Sequence, residues 1–207
     1  MQNIEGLHIL TDRELVKPRS IIEMVALIIG GGVSVIQLRD KEADDETMIR
    51  IGREIMQLTR GKIPLIVNDR VNVALEIDAQ GVHVGQTDMP AREVRRLIGP
   101  NMILGVSAST VEQALKAQAD GADYLGVGPV FPTLSKPDAD PPIGLSGLAA
   151  IKNAVSIPVI AIGGINVNNA EAVAQIADGI AVISAVWQAD DSLQATQTLS
   201  MIINKYK

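Results

Sequence analysis

Arg39 and Lys41 stand two residues apart in the run Gln37-Leu38-Arg39-Asp40-Lys41, directly after an apolar stretch. Alternate side chains of an extended chain share a face, so Gln37 and Arg39 point the same way and Lys41 follows just beyond. Two cations at one strand end suit a polyanion. The competing reading buries Arg39 in an ion pair and leaves Lys41 solvated beside Asp40. Two acids extend the pattern: Asn68-Asp69-Arg70 follows Pro64–Val67, and Gly85-Gln86-Thr87-Asp88 follows Gly81–Val84. Polar groups next to buried strands need partners, whether an ion, a ligand or a helix N-terminus that Asn68, Asp69 or Asp88 would cap. The two acids say more together. Adjacent strands lie about 4.8 Å apart, so the Asp69 and Asp88 carboxylates can converge. Two hard oxygen ligands beside two cations suit Mg²⁺ shared between protein and phosphate oxygens.

Further candidates lie farther along. Ser107 ends an apolar run and offers a hydroxyl. Thr133, Ser135 and Lys136 open a long loop rich in Pro and Asp, which reads as a lid closing over a phosphate or as a solvated basic loop. Gly163-Gly164 and Ile183-Ser184 follow two later apolar runs, where glycine lets backbone N–H groups approach an anion. His8 and His83 sit inside apolar runs and read as core or barrel-layer histidines. Trp187 reads as packing, and Asp12 as an acid at a strand end with no assigned partner.

What must position these residues is a series of alternating strands and helices. Apolar runs of strand length recur at Leu7–Thr11, Val33–Leu38, Pro64–Val67, Gly81–Val84, Ile103–Val106, Tyr124–Val127, Pro158–Ile162 and Gly179–Ile183. Each is followed by a helical pattern. In the Asp44–Leu58 segment, Met48, Ile51, Ile55 and Leu58 recur at helical spacing behind Asp44 or Asp45 as N-cap. In Thr110–Ala119, Thr110 and Gln113 have capping-box spacing, with Gly121 as the stop. Strict alternation implies parallel strands and right-handed crossovers. Eight such units predict one (β/α)₈ (TIM) barrel over residues 1–207, with an open doubly wound sheet as the alternative. In a barrel the site lies on the loops after the strands, and every candidate above falls there.

Composition narrows the class. Hydrophobic residues make up 47% of the chain and aromatics 2%, so the core is built from Val, Ile, Leu and Ala, as doubly buried parallel strands require. No cysteine is present, which excludes disulfides and thiolate metal sites. The net charge is −6, with the basic residues dispersed, which argues against a nucleic-acid surface. Met1–Asp12 lacks the pattern of a secretory leader, and no apolar run approaches the roughly 20 residues of a membrane span. A cytoplasmic enzyme of small molecules is expected, with homo-oligomerisation left open.

Read in order, Gln37–Lys41, Asn68-Asp69-Arg70, Gly81–Asp88, Gly126-Val127-Gly128-Pro129-Val130-Phe131-Pro132-Thr133 and Ile162-Gly163-Gly164-Ile165 resemble the thiamine phosphate synthase family over nearly the whole chain. That resemblance implies transfer of a pyrimidine unit from 4-amino-5-hydroxymethyl-2-methylpyrimidine diphosphate to 4-methyl-5-hydroxyethylthiazole phosphate, releasing pyrophosphate. By matching position it implies that Arg39, Lys41, Asn68 and Lys136 bind the diphosphate, and that Asp69 and Asp88 hold Mg²⁺. It places Gln37 and Ser107 against the pyrimidine diphosphate. Thr133, Ser135 and the backbone at Gly164, Ile183 and Ser184 take the thiazole phosphate. No protein nucleophile is needed, which agrees with a sequence showing no cysteine and no evident serine–histidine pair. Ser135 replaces the usual threonine, and Ser109 stands where a histidine is common. Related thiazole tautomerases carry that histidine and lose the aspartate after the asparagine. This chain has Asp69 and lacks the histidine, which favours the synthase over a tautomerase or a non-catalytic phosphate-binding relative.

Overall fold

In a computed structural model, described for residues 4–133 and 141–207, eight parallel strands close into a barrel in sequence order. The strands are β1 (Gly6–Leu10), β2 (Val35–Leu38), β3 (Leu65–Asn68), β4 (Gly81–Val84), β5 (Ile103–Ala108), β6 (Tyr124–Val127), β7 (Val159–Ile162) and β8 (Gly179–Val182). Closure is made by β8 on β1, with His8 opposite Ala181. The predicted (β/α)₈ barrel is therefore the observed one, and the open sheet is excluded.

Around the barrel run α1 (Arg13–Val16), α2 (Ile21–Ile28), α3 (Asp45–Thr59), α4 (Val71–Glu76), α5 (Ala91–Ile98), α6 (Val111–Ala119), α7 (Gly144–Ala154), α8 (Ala170–Ala174), α9 (Ser184–Trp187) and α10 (Ser192–Asn204). Their apolar faces and the outward side chains of the strands form the main core, in which Leu7, Ile9, Leu38, Leu65, Val67, Val82, Leu104 and Leu125 are fully enclosed. Each such side chain contributes about 1.5–3 kcal/mol relative to exposure. No helix among the described residues is long and apolar enough to cross a membrane.

Strand ends differ from expectation where pairing, not hydropathy, decides them. β5 runs on through Ser107 and Ala108, because these two residues still pair with Gly126 and Val127 of β6. β2 starts at Val35, after Gly32 in the left-handed conformation and the turn that follows it. Asp44 is the N-cap of α3, accepting from the Thr47 N–H. Thr110 accepts from the Gln113 N–H, but the reciprocal half of the expected capping box falls one residue earlier. The Gln113 amide oxygen takes the Ser109 N–H and hydroxyl.

Register fixes which side chains face inward. Parallel pairing aligns His8 with Val35, Gln37 with Ile66, Asn68 with His83, His83 with Gly105, Gly105 with Tyr124 and Gly126 with Ile160. Branched aliphatics dominate the interior of most such barrels. Here two histidines and Tyr124 share it with Leu10, Ile160 and Ala181, and glycines make the room. A Cβ at Gly126 would lie 2.8 Å from His83 Cε1, and one at Gly105 would overlap both His83 and Tyr124.

Candidate active site

The loops after the strands surround a cavity of about 500 Å³ at the C-terminal end of the barrel. Its walls bring together Gln37, Arg39, Lys41, Asn68, Asp69, Asp88, Ser107, Thr133, Gly164, Ile183 and Ser184. These candidates span the chain from the end of β2 to the end of β8. Barrel closure, not sequence proximity, makes them neighbours. Ser135 and Lys136 lie outside the described residues. A second hollow of about 720 Å³ adjoins the first and shares Arg39, Lys41, Thr133, Gly164 and Ser184 with it. Asp12, Arg13, Asn166 and Gln188 belong to its separate wall.

Arg39 is positioned at both its backbone and its head. The buried Thr11 hydroxyl donates to the Arg39 carbonyl at 2.8 Å and accepts the Arg39 N–H at 2.9 Å. The guanidinium meets Asp12 at 3.2 Å. Arg39 is thus ion-paired, as the competing reading expected, and it also lines the cavity. Asp40 is buried rather than a surface partner of Lys41. It accepts from Arg13 and from the Glu42 and Ala43 N–H groups, which shapes the loop carrying Lys41.

The acids are not helix caps. The N-cap of α4 is Arg70 and that of α5 is Pro90, and neither helix has a side-chain cap hydrogen bond. Asp69 holds a left-handed backbone, φ 65°, with its N–H donating to the His83 carbonyl at 2.7 Å. A non-glycine residue in that region costs energy and is found where surroundings enforce it, often at functional sites. Arg70 is directed away from the cavity, onto Asp45 and the Ala43 carbonyl. Asp88 Oδ2 accepts the Gly85 N–H at 2.7 Å, which fixes that carboxylate against the cavity wall.

Opposite these groups, Gly163 and Gly164 adopt φ 99° and 65°. Any Cβ at Gly164 would strike the Phe131 and Pro132 segment. The loop after β6 lies directly on them, with Val130 donating to the Ile162 carbonyl and Phe131 to the Gly163 carbonyl. That contact seats Thr133 beside Gly164 on the cavity rim.

The barrel interior forms the cavity floor. His83 places Nδ1 2.9 Å from the Tyr124 hydroxyl and Nε2 2.9 Å from Ser107 Oγ. A serine–histidine pair is thus present, contrary to the expectation from sequence, because the two residues are 24 apart and meet only through adjacent strands. Among the described residues, the position of the carboxylate that orients the imidazole in a hydrolytic triad is taken by Tyr124. A neutral phenol occupies that position, and burial pushes its pKa up. His8 is likewise a layer histidine: its Nε2 lies 2.6 Å from the Ile4 carbonyl, and burial lowers its pKa to about 4. Trp187 packs as expected, its indole N–H bonded to the Leu10 carbonyl.

A family model described as thiamine monophosphate synthase matches residues 7–186. The chain belongs to that family. It is 54% identical over 195 residues to the thiamine-phosphate synthase of Roseiflexus castenholzii, covering 93% of this chain and 86% of that one. The thiamine-phosphate synthase of Chloroflexus aurantiacus is 54% identical over 200 residues, covering 96% and 92% respectively. Among solved structures, thiamine phosphate pyrophosphorylase from Pyrococcus furiosus superposes with a TM-score of 0.89 at 43% identity, covering 99% of this chain and 98% of that chain. The chain is accordingly a transferase of the thiamine monophosphate synthase family.

Within this family site, sequence reasoning missed Tyr124, Thr11 and the roles of Asp12 and His83. Tyr124 reads as the first residue of an apolar strand, and only its register opposite Gly105 reveals an inward hydroxyl. Thr11 follows β1 as an ordinary strand-end residue. One sequence signal was available for the floor: Gly105 and Gly126 stand within strands, where glycine marks space taken by something else.

Proposed function

We propose that this chain forms thiamine phosphate with Mg²⁺ held between Asp69, Asp88 and the diphosphate of the pyrimidine substrate. The observation that carries the reading is the junction of the two hollows. Two carboxylates and two cations line one cavity, and a glycine-rich rim leads from it into the next. Two phosphorylated substrates can therefore meet end to end.

The residues present fit a divalent cation of this kind. Asp69 and Asp88 offer hard oxygen donors on one cavity wall. Among the described residues no group of three or more His, Cys, Asp or Glu gathers as a self-sufficient metal cage. Mg²⁺ characteristically takes one or two carboxylates and completes its shell with water and substrate phosphate. When bound, it would neutralise charge on the diphosphate as that group departs.

The chain's own groups do the rest. Arg39, Lys41 and Asn68 bind the diphosphate and stabilise the charge it gains as the C–O bond breaks. Both electrons of that bond leave with pyrophosphate. The electron-rich aminopyrimidine carries the resulting benzylic-type cation, and the thiazole nitrogen lone pair forms the new C–N bond. Gln37 and Ser107 contact the pyrimidine diphosphate. Thr133 and the backbone N–H groups at Gly164, Ile183 and Ser184 hold the thiazole phosphate at the β7 and β8 ends, where barrels often bind phosphate. Ser135 and Lys136 complete these two sets by resemblance. Both substrates are small, charged and water-soluble, which suits a cytoplasmic enzyme.

Position 109 speaks against tautomerase chemistry. Its serine hydroxyl is bonded to the Gln113 amide and supplies no acid–base group.

The test is a coupling assay on the purified chain. Thiamine phosphate and pyrophosphate should appear together, only with both substrates and Mg²⁺. Equal rates after chelation would remove the metal from the reading, and no product under any condition would overturn the synthase function.

A further inference from the structure

Side chains from β2, β6, β4 and β5 form one hydrogen-bonded line across the barrel. Gln37 Nε2 lies 3.4 Å from the Tyr124 hydroxyl, which lies 2.9 Å from His83 Nδ1, and His83 Nε2 lies 2.9 Å from Ser107 Oγ. Proton counting gives the line a direction. Tyr124 is 1% exposed, so its phenol stays protonated and must donate to something. The Gln37 amide nitrogen has only protons to give, so the phenol oxygen accepts there and its own proton goes to His83 Nδ1. His8 does not compete for that proton: its ring packs edge-on against Tyr124 at 5.5 Å, with Nε2 turned to the Ile4 carbonyl.

With Nδ1 accepting from Tyr124, the ring proton of His83 falls to Nε2, which donates to Ser107 Oγ. Ser107 lines the cavity, and with its oxygen engaged from below, its own proton faces the substrate. We propose that Tyr124 is a positioning residue that holds His83 in the Nε2–H tautomer, so that Ser107 meets the pyrimidine diphosphate as a hydrogen-bond donor rather than an acceptor. No proton is transferred and no bond to Ser107 forms. A fixed donor strengthens its bond to an oxygen that gains charge as the C–O bond breaks, and it opposes nothing in the ground state. Gly105 and Gly126 are part of this arrangement, since a side chain at either would displace the His83 ring.

The ligand named here rests on the proposed synthase reaction, whereas the tautomer does not. Nitrogen-15 NMR of the full wild-type chain, histidine-labelled at neutral pH, reads the tautomer directly, and a His8→Gln chain assigns the two rings. His83 should show an unprotonated Nδ1 and a protonated Nε2. A proton on Nδ1, which a Gln37 amide of opposite orientation would produce, overturns the proposal. Kinetics supply the second arm. Tyr124→Phe should lower kcat about tenfold, as loss of one hydrogen bond of about 1.4 kcal/mol would, with both KM values within about twofold. In a Ser107→Ala background the same change should cost nothing more. Losses that add, or an unchanged kcat in Tyr124→Phe, show that Tyr124 does not act through Ser107. Absence of product from the wild-type chain would instead defeat the synthase reading and leave the NMR result standing.

Discussion

The Asp12 carboxylate holds the Arg39 guanidinium at 3.2 Å with one oxygen, while its other oxygen receives the Glu14 and Leu15 N–H groups. A single acid thus ties the end of β1 to the end of β2 and starts α1. Both partners of the ion pair are mostly enclosed, with side-chain exposures of 12% for Arg39 and 18% for Asp12. The guanidinium is therefore aimed before any anion arrives, which lowers the ordering cost of binding.

Asp12→Asn separates the two roles, because asparagine caps helices as well as aspartate does. The fold should be kept, and KM for the pyrimidine diphosphate should rise about twofold to fivefold, in line with an ion pair of up to about 1 kcal/mol. Steady-state kinetics with varied diphosphate substrate check this. An unchanged KM would mean that Arg39 needs no aiming.

For Asp69, asparagine is again the informative replacement, since it tolerates the left-handed backbone at φ 65°. Asp69→Asn should fold normally by circular dichroism and lose about 100-fold or more in kcat, the scale of removing one charge-stabilising group. Raising the Mg²⁺ concentration should recover part of the loss. Wild-type turnover at low Mg²⁺ would take Asp69 out of the metal site.

Gly126→Ala tests the space behind the floor. The new Cβ would sit 2.8 Å from His83 Cε1 and 3.2 Å from His83 Nε2, the atom facing Ser107. Overpacking of this sort costs about 1–3 kcal/mol. A lower melting temperature is expected together with a fall in kcat. A melting temperature equal to that of the unaltered chain would show that the ring has room to give way.

His8 makes stability depend on pH. Burial holds its folded pKa at about 4 against an ordinary value of 6.5. Between those two values the unfolded chain takes up a proton that the folded chain refuses, so stability rises with pH across the window. The contribution is complete above pH 6.5 and is lost as pH falls towards 4. Its full size is about 3 kcal/mol. Urea melts at pH 7 and pH 5 should show the loss, and His8→Leu should reduce that difference. An equal difference in the variant would assign the pH dependence to other groups.

How far the site was legible in the chain can be followed residue by residue. Arg39, Lys41, Asp69 and Asp88 stood out because charged groups directly after apolar runs need partners, and that need is local. Gly164 stood out because glycine directly after an apolar run lets backbone N–H groups approach an anion; its φ of 65° came only with the structure. Ser107 was visible as a strand-end hydroxyl. Its partner His83 looked like an ordinary layer residue, and the hydrogen bond between them was not legible at all.

The sequence by itself determined the eight strand–helix units, the end of the barrel at which the candidate residues gather, and their charges. Hydropathy period and turn chemistry act over a few residues and are written in order along the chain. Only the tertiary structure decided what meets what. Closing β8 onto β1 and setting the register put Tyr124 opposite Gly105, His83 beside Ser107 and Asp12 against Arg39. A shift of one residue in any strand would turn those side chains from the cavity to the helices. That choice is settled by pairing among all eight strands at once, so no local stretch of sequence contains it.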